Sequence, residues 1–350
     1  MTTNLRAHDL ARRAFLSDVG PYDAPAGLSL MKGPSSVVRL EPGAATGFIG
    51  EAVCTIGAFD GVHRAHRFLF ASTVADAMKR RARSVIVTFD PDPDELFCPR
   101  DKVRKLLDNE DRVRLLAGFG ADCVLVVPFT RELAARSPES FLKDVLGSFC
   151  EVKAIHVGSN FHLGAGNAGT VEVLRAIGAR DGFDVLGHSL QCSDATPVSA
   201  TRIRNLIAAG SVEEATDLLC RPHFLRGAVV HGRHQGSAFG FPTANVQVDY
   251  PYVMPAEGVY AGFVAVGETA WPAAINVGVP RTFAALPGCA YLEANLLGFS
   301  GDIYDQPVRV AFTRFLRPQR TFSSKEELVS TVLGNIEQVR SDLGDEGIGL

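Results

Sequence analysis

Between residues 52 and 187 the sequence alternates short apolar runs with segments of helical periodicity. The apolar runs cover 52–56, 84–88, 123–128, 154–157 and 183–187, and the helical segments cover 66–80, 110–119, 138–149 and 170–181. Strands that alternate with helices predict a mostly parallel sheet with helices on both faces. We therefore expect an α/β domain that binds its ligand at the carboxyl ends of the strands.

After Pro222 the pattern changes to short strands separated by turn residues, at 225–231, 258–266, 271–277, 291–299 and 308–316. This spacing predicts a small antiparallel barrel. A short helix ahead of the barrel and a last helix near the C-terminus begin at Ser211 and Ser324, each with a Ser-x-x-Glu capping box. We expect an N-terminal extension over 1–50, an α/β domain over 51–221 and a barrel domain over 222–350.

Charge excludes a bulk electrostatic attraction to nucleic acid or anionic lipid, because 35 basic and 39 acidic residues leave a net charge of −4. No apolar stretch reaches the roughly 18 residues that a membrane-spanning helix needs. The seven scattered cysteines form no Cys-x-x-Cys pair. The first residues lack a charged-then-apolar pattern, so we expect no signal segment. We expect a cytoplasmic protein with small-molecule partners, neither nucleic acid nor membrane, in which a local site holds any phosphate.

The first site motif is Ile56-Gly-Ala-Phe-Asp-Gly-Val-His-Arg-Ala-His66, which follows the first predicted strand and leads into a helix. Gly57 and Gly61 let the backbone approach a bulky ligand, and the helix N-terminus offers amides to an anion. His63 and His66 would share a helix face and donate hydrogen bonds to phosphate oxygens. Two alternatives stay open: an Asp-Gly turn with two surface histidines, or a zinc site, for which no third ligand is near.

The second motif, Val198-Ser-Ala-Thr-Arg-Ile-Arg204, also has the chemistry of a phosphate site. Ser199 and Thr201 can cap a helix whose free amides hold a phosphate, and Arg204 adds a planar fork of donors. The alternative is a well-capped helix with an exposed arginine.

The third motif, Phe239-Gly-Phe-Pro-Thr-Ala-Asn245, lies in the predicted barrel. Gly240 and Pro242 restrict the backbone, while Thr243 and Asn245 present neutral oxygens. Hard oxygen ligands suit Mg²⁺, which binds through a few protein oxygens together with substrate phosphates. The alternative is a Pro-Thr turn with an Asx cap.

Taken in order, these motifs resemble those of the bacterial bifunctional riboflavin kinase/FMN adenylyltransferases. Residues 57–66 resemble G-x-F-D-G-x-H-x-G-H, residues 88–93 resemble T-F-x-P-H-P, residues 157–164 resemble V-G-x-[DN]-F-x-F-G, and residues 198–204 resemble I-S-S-T-x-[IV]-R. Residues 240–245 match the kinase signature G-F-P-T-A-N, and residues 276–283 resemble N-x-G-x-x-P-T-F. The resemblance covers residues 50–343. This chain departs from the patterns at Ala65, Asp92, Leu163, Ala200 and Arg281.

The resemblance implies a Rossmann-like nucleotidylyltransferase domain followed by a riboflavin kinase barrel with a C-terminal helix. It implies ATP, riboflavin and FMN as substrates, with Mg²⁺, which Thr243 and Asn245 would bind. It implies that Glu293 is the catalytic base of the kinase, and that His63, His66 and Arg204 stabilise charge in adenylyl transfer. Further substrate contacts would come from Gly57, Phe59, Asp60, Gly61, Asn160, Ser199, Thr201, Gly240, Phe241, Pro242, Thr243 and Asn245.

Three functions are compatible with these motifs. The first is a bifunctional enzyme that phosphorylates riboflavin and adenylylates FMN. The second is a riboflavin kinase whose diverged first domain binds nucleotide or flavin, or uses another acceptor, because four of the five departures fall there. Asp92 matters most, since a carboxylate beside a phosphate repels it unless a cation lies between them. The third is a flavin sensor without activity, which would have no need of Glu293 as a base.

Overall fold

The computed structural model describes residues 2–16, 35–41, 47–98, 104–189, 192–193, 196–231, 241–278 and 290–350. The chain divides into two compact units. The α/β unit comprises Val19–Val103 and Asp108–Ser199, and the barrel unit comprises Met1–Asp18, Arg104–Leu107 and Ala200–Leu350. No helix in these described ranges is long and apolar enough to cross a membrane.

The α/β unit alternates strands and helices as expected. Its strands are β1 (Ser36–Arg39), β2 (Glu51–Ile56), β3 (Arg83–Asp90), β4 (Cys123–Pro128), β5 (Glu151–Gly158), β6 (Asp184–His188), β7 (Cys192–Ser193) and β8 (Thr196–Pro197). Helix α1 (Thr2–Phe15) belongs to the barrel unit, and the helices here are α2 (Arg64–Arg80), α3 (Pro93–Phe97), α4 (Asn109–Ala117), α5 (Arg131–Ala134), α6 (Pro138–Ser140), α7 (Gly147–Phe149) and α8 (Val171–Asp181). A π-helical segment, Phe141–Leu146, joins α6 to α7.

Strands β1 to β6 form one parallel sheet in the order β1-β4-β3-β2-β5-β6. β3 has six consecutive buried residues, because helices cover both faces of the sheet. The larger core contains buried residues from Ala52 to Ile177 in sequence and includes Phe141, while Ala77 of α2 covers Val53 and Ala154 on the other face. The predicted parallel sheet is confirmed, and β1 is a strand that the sequence pattern did not indicate.

The barrel unit contains β9 (His223–Val230), β10 (Ala244–Val248), β11 (Gly258–Val266), β12 (Thr269–Val277), β13 (Ala290–Leu296), β14 (Pro307–Pro318) and β15 (Ile348–Gly349). Its remaining helices are α9 (Ala200–Ala208), α10 (Val212–Leu219) and α11 (Lys325–Leu343). Six strands close in the antiparallel order β11-β14-β9-β10-β13-β12, with β12 pairing to β11, and β15 adds to β12. The predicted barrel and its C-terminal helix are confirmed. β10 was not predicted as a strand.

The two compact units divide between Ser199 and Ala200, whereas the sequence predicts a boundary near Pro222. The difference arises because α10 packs on β9 and β14, and Val212 of α10 is part of the barrel core. The predicted extension over 1–50 likewise contributes α1 to the barrel unit and β1 to the α/β sheet.

The two predicted capping boxes differ in outcome. The Ser324 side chain accepts from the Glu327 amide at 3.1 Å and so caps α11, although the Glu327 carboxylate binds Ser323 instead of Ser324. Ser211 makes no capping hydrogen bond. Its ψ of 60° lies outside the extended conformation that N-cap residues normally adopt.

Candidate active sites

The segment after β2 has an unusual backbone. Phe59, Gly61 and Val62 have φ values of 54°, 78° and 46°, which glycine adopts freely and a β-branched residue such as valine rarely does. Strain of this kind concentrates at functional sites. Gly57 is required by close packing, since a Cβ there would lie 2.7 Å from Cε1 of the Phe59 ring.

His63 and His66 are brought together, but by a route that differs from the prediction. His63 has extended φ and ψ and is the N-cap of α2, so the two residues do not share a helix face. Their rings nevertheless stack with centroids 3.6 Å apart, and the edge of Phe59 packs on His66. Burial, followed by the proximity of His63, holds the pKa of His66 well below its usual value. His66 is therefore neutral at pH 7, and its buried Nδ1 makes no hydrogen bond within the described structure.

The topology places Asn160 at the same edge of the sheet as this segment. β2 pairs with β5 in parallel; Gly57 is the first residue after β2, and Asn160 is the second residue after β5. β3 and β4 lie on one side of β2 while β5 and β6 lie on the other, so the gap between β2 and β5 is a topological switch point. Asp60 is buried beside this edge, and Asn160 is exposed on it.

Ser199, Thr201 and Arg204 lie around the start of α9. The helix begins at Ala200, so Ser199 directly precedes it and Thr201 is its second residue. The prediction that Thr201 caps the helix is therefore wrong, because its backbone is already helical. Arg204 is half-buried one turn further along α9.

Four of the five departures from the family pattern are accommodated by the structure, and the fifth, Arg281, lies outside the described residues. Asp92 is buried, forms an ion pair with buried Arg112, and caps α3 by accepting from the Asp94 amide. Ala65 is the second residue of α2, where the backbone has no need of glycine. Leu163 packs in the core of the α/β unit, and Ala200 is the first residue of α9.

In the barrel unit, strand register aligns three polar side chains. Glu293 on β13 pairs with Asn245 on β10 and with Asn276 on β12. Directly paired residues of antiparallel strands project from the same face, so the three side chains form a row across the sheet. All three are half-buried. Asn276 is the first residue of the segment that resembles N-x-G-x-x-P-T-F, but it was not predicted as a site residue.

Glu293 has the electrostatics of a base. Burial raises its pKa above the usual value, and a hydrogen bond from Asn276 opposes part of that rise. The oxygen of Asn276 in turn faces Gln319, whose Nε2 lies 3.5 Å away and donates at 2.9 Å to the Val277 carbonyl. Gln319 was not predicted from the sequence.

The G-F-P-T-A-N motif lies ahead of β10 and in its first residues. Gly240 lies outside the described residues, Phe241 is buried and Pro242 is exposed. Thr243 is half-buried and precedes β10 by one residue. Asn295, another residue that sequence reasoning missed, donates from Nδ2 to the Pro242 carbonyl at 2.7 Å.

Comparisons with known proteins agree with both halves of the chain. The FAD synthetase family model matches residues 48–202, and the riboflavin kinase family model matches residues 219–343. A solved structure described as a macrolide-efflux protein from Streptococcus pneumoniae is similar in fold. Its TM-score is 0.77 and its sequence identity 28%, over 87% of this chain and 98% of that chain.

Curated relatives align over most of their length. The bifunctional riboflavin kinase/FMN adenylyltransferase of Escherichia coli is 35% identical over 281 residues, which are 80% of this chain and 89% of that protein. The protein of the same name from Pseudomonas fluorescens is 35% identical, over 83% of this chain and 92% of its own. The one from Listeria monocytogenes is 31% identical, over 83% and 91%. The chain therefore belongs to the bifunctional riboflavin kinase/FMN adenylyltransferase family of transferases.

Proposed function

We propose that this protein makes FAD from riboflavin in two steps, one in each unit. In the barrel unit, the terminal ribityl hydroxyl of riboflavin attacks the γ-phosphate of ATP. Glu293 accepts the hydroxyl proton as the new P–O bond forms, and the products are FMN and ADP. The row of Glu293, Asn245 and Asn276 carries this assignment, because it combines a base of raised pKa with neutral hydrogen-bonding groups on one face.

Thr243 and Asn245 fit a magnesium ion, since they offer neutral hard oxygens beside the Glu293 carboxylate. When bound, Mg²⁺ would neutralise the charge of the ATP phosphates. Thr243 and Asn245 themselves would hold the nucleotide beside Glu293.

In the α/β unit, a phosphate oxygen of FMN attacks the α-phosphate of a second ATP, and pyrophosphate leaves to give FAD. The FMN phosphate is already ionised, so the step needs positioning and charge stabilisation but no base. The segment from Gly57 to His66, the N-terminus of α2 and Asn160 would form this site at the switch point. Neutral His66 donates hydrogen bonds without competing for a proton, and Ser199 of the same unit would add a further donor. A part for Thr201 and Arg204 in this step stays a prediction from the sequence.

A kinase-only function, the second candidate, was motivated by the departures in the first domain. The structure weakens its strongest reason, because Arg112 neutralises the carboxylate of Asp92. A cytoplasmic location stays a prediction.

The test is a product assay with purified protein, Mg²⁺, ATP and either riboflavin or FMN, with the flavins separated by chromatography. We expect FMN and FAD from riboflavin, and FAD from FMN. Glu293→Gln should abolish FMN formation and leave FAD formation from FMN intact. FMN without FAD in the wild-type protein would select the kinase-only function, and no product from either flavin would contradict both.

A further inference from the structure

Asn295 is a buried amide near Glu293 in the kinase site, and the proposed chemistry does not use it. It lies two residues from Glu293 on β13, so both side chains project from the same face of the strand. Only 9% of Asn295 is exposed. A buried amide that is not needed for the chemistry calls for a structural or positioning explanation.

The register places Asn295 against the segment that precedes β10. Asn245 pairs with Glu293 and Ala244 pairs with Ala294, so one further step along the ladder puts Thr243 opposite Asn295. Two residues of β13, Glu293 and Asn295, thus face Asn245 of β10 and Thr243 just ahead of it. The Asn295 side chain does not bond to Thr243 itself. It donates to the carbonyl of the preceding residue, Pro242, at 2.7 Å.

This hydrogen bond determines which way one peptide group faces. Pro242 and Thr243 share a peptide plane, and in a trans peptide the carbonyl and the N–H point in opposite directions. Asn295 draws the Pro242 carbonyl toward the sheet, so the N–H of Thr243 points away from it. That N–H makes no hydrogen bond to any described residue. Proline also restricts φ at residue 242, which leaves ψ as the torsion that Asn295 controls.

We propose that Asn295 is a positioning residue of the kinase site: by holding the Pro242 carbonyl, it turns the Thr243 N–H and hydroxyl toward the phosphates of ATP. The inference rests on the proposed kinase function. The Thr243 N–H then becomes a further hydrogen-bond donor to the nucleotide. Asn295, which is not one of the reacting groups, sets the orientation of that N–H. Asn295 acts on nucleotide binding, whereas Glu293 acts on the hydroxyl of riboflavin.

The experiment compares three substitutions of similar volume. Asn295→Leu removes the donor, Asn295→Asp replaces it with a charged acceptor that repels the carbonyl, and Asn295→His keeps an N–H at the position of Nδ2. The Leu and Asp variants should raise KM for ATP in FMN formation by about tenfold or more. KM for riboflavin should change less than about twofold, and the His variant should stay close to wild type.

Two further measurements distinguish failure of the positioning role from failure of the kinase function. Binding of Mg²⁺-ADP by calorimetry should weaken in the Leu variant as KM for ATP rises, and FAD formation from supplied FMN should be unchanged. An unchanged KM for ATP in the Leu variant, or equal rises for ATP and riboflavin with a lowered melting temperature, would overturn the positioning role. Failure of the wild-type protein to make FMN would instead overturn the kinase function.

Discussion

The guanidinium of Arg112 donates from Nη1 to the Asp92 carboxylate at 2.7 Å, with only 1% of one side chain and 2% of the other exposed. Arg112 also donates to the carbonyl of Phe89, so it links the end of β3 to the start of α3. The charge of Asp92 is thus neutralised within the α/β unit. A carboxylate at this position is compatible with a neighbouring phosphate site.

Removing one partner of this pair should destabilise the protein strongly. Asp92→Asn leaves a buried guanidinium without its counter-charge, which costs about 3–5 kcal/mol of unfolding free energy. Urea denaturation measures this loss. Asp181→Asn is the matched control, because its partner Arg180 is 60% exposed and losing this solvent-screened pair should leave the urea midpoint unchanged. FAD formation from FMN should not speed up in Asp92→Asn, and an acceleration would mean that the carboxylate does repel the nucleotide.

Gly278 leaves space for the amide of Gln319. A Cβ at residue 278 would lie 1.7 Å from Nε2 of Gln319, so Gly278→Ala must displace that flexible side chain. The amide of Asn276 would then lose its support beside Glu293, and kcat for FMN formation should fall roughly tenfold. Gln319→Met should cause the same fall, and the double variant should be no worse than either. Gly334→Ala, on α11 with open space around it, should have no effect. Additive losses would show that the two residues act independently.

Helix α1 is bound to the barrel unit through Phe15. Phe15 is fully buried, packs edge-on against Phe224, and accepts through its carbonyl a hydrogen bond from Arg309, whose guanidinium also covers the ring. Phe15→Ala should cost about 3–5 kcal/mol of barrel stability. Thermal inactivation of FMN formation should then occur at a lower temperature, while His8→Ala, on the exposed face of α1, should match wild type. If Phe15→Ala and wild type lost FMN formation at the same temperature, α1 would be dispensable for the stability of the barrel unit.

Two hydrogen-bonded histidines make the stability of the α/β unit sensitive to acid. Asp76 on α2 bonds to His156 on β5, which bonds to His188 on β6, with distances of 3.0 and 2.9 Å. Arg80 pairs with both Asp76 and Asp184 at the same place. Burial lowers the pKa of His156 and of His188 below the usual value of 6.5. The unfolded chain therefore binds more protons than the folded one just below that pH, and stability is lost as pH falls through about 6.5.

The measurement is the melting temperature between pH 7.5 and 5.5. Wild-type protein should lose stability over this range, and His188→Gln should lose less, because one titrating group is gone while a donor to His156 remains. His162→Gln, at an exposed position, should follow wild type. A wild-type melting temperature that does not change with pH would show that His156 and His188 do not make stability depend on pH.

Local patterns sufficed to predict much of this protein. The alternation of apolar runs and helical periods predicted the parallel sheet, because each strand buried on both faces reads as a continuous apolar run. The pattern missed β1, which is an edge strand with exposed residues, and β10, whose Ala-Asn start has low strand propensity. The π-helical segment Phe141–Leu146 within the predicted helix over 138–149 has no local signal either.

What the sequence alone determined is the inventory of chemistry: two domains, the glycine and histidine motif after β2, the G-F-P-T-A-N string and Glu293. What only the tertiary structure decided is which side chains meet. Strand register put Asn276 and Asn295 beside the predicted residues, and packing paired Asp92 with Arg112 across 20 residues of sequence. The physical reason is that strand and helix propensities are local, whereas register and burial depend on contacts between distant segments, which no short motif specifies.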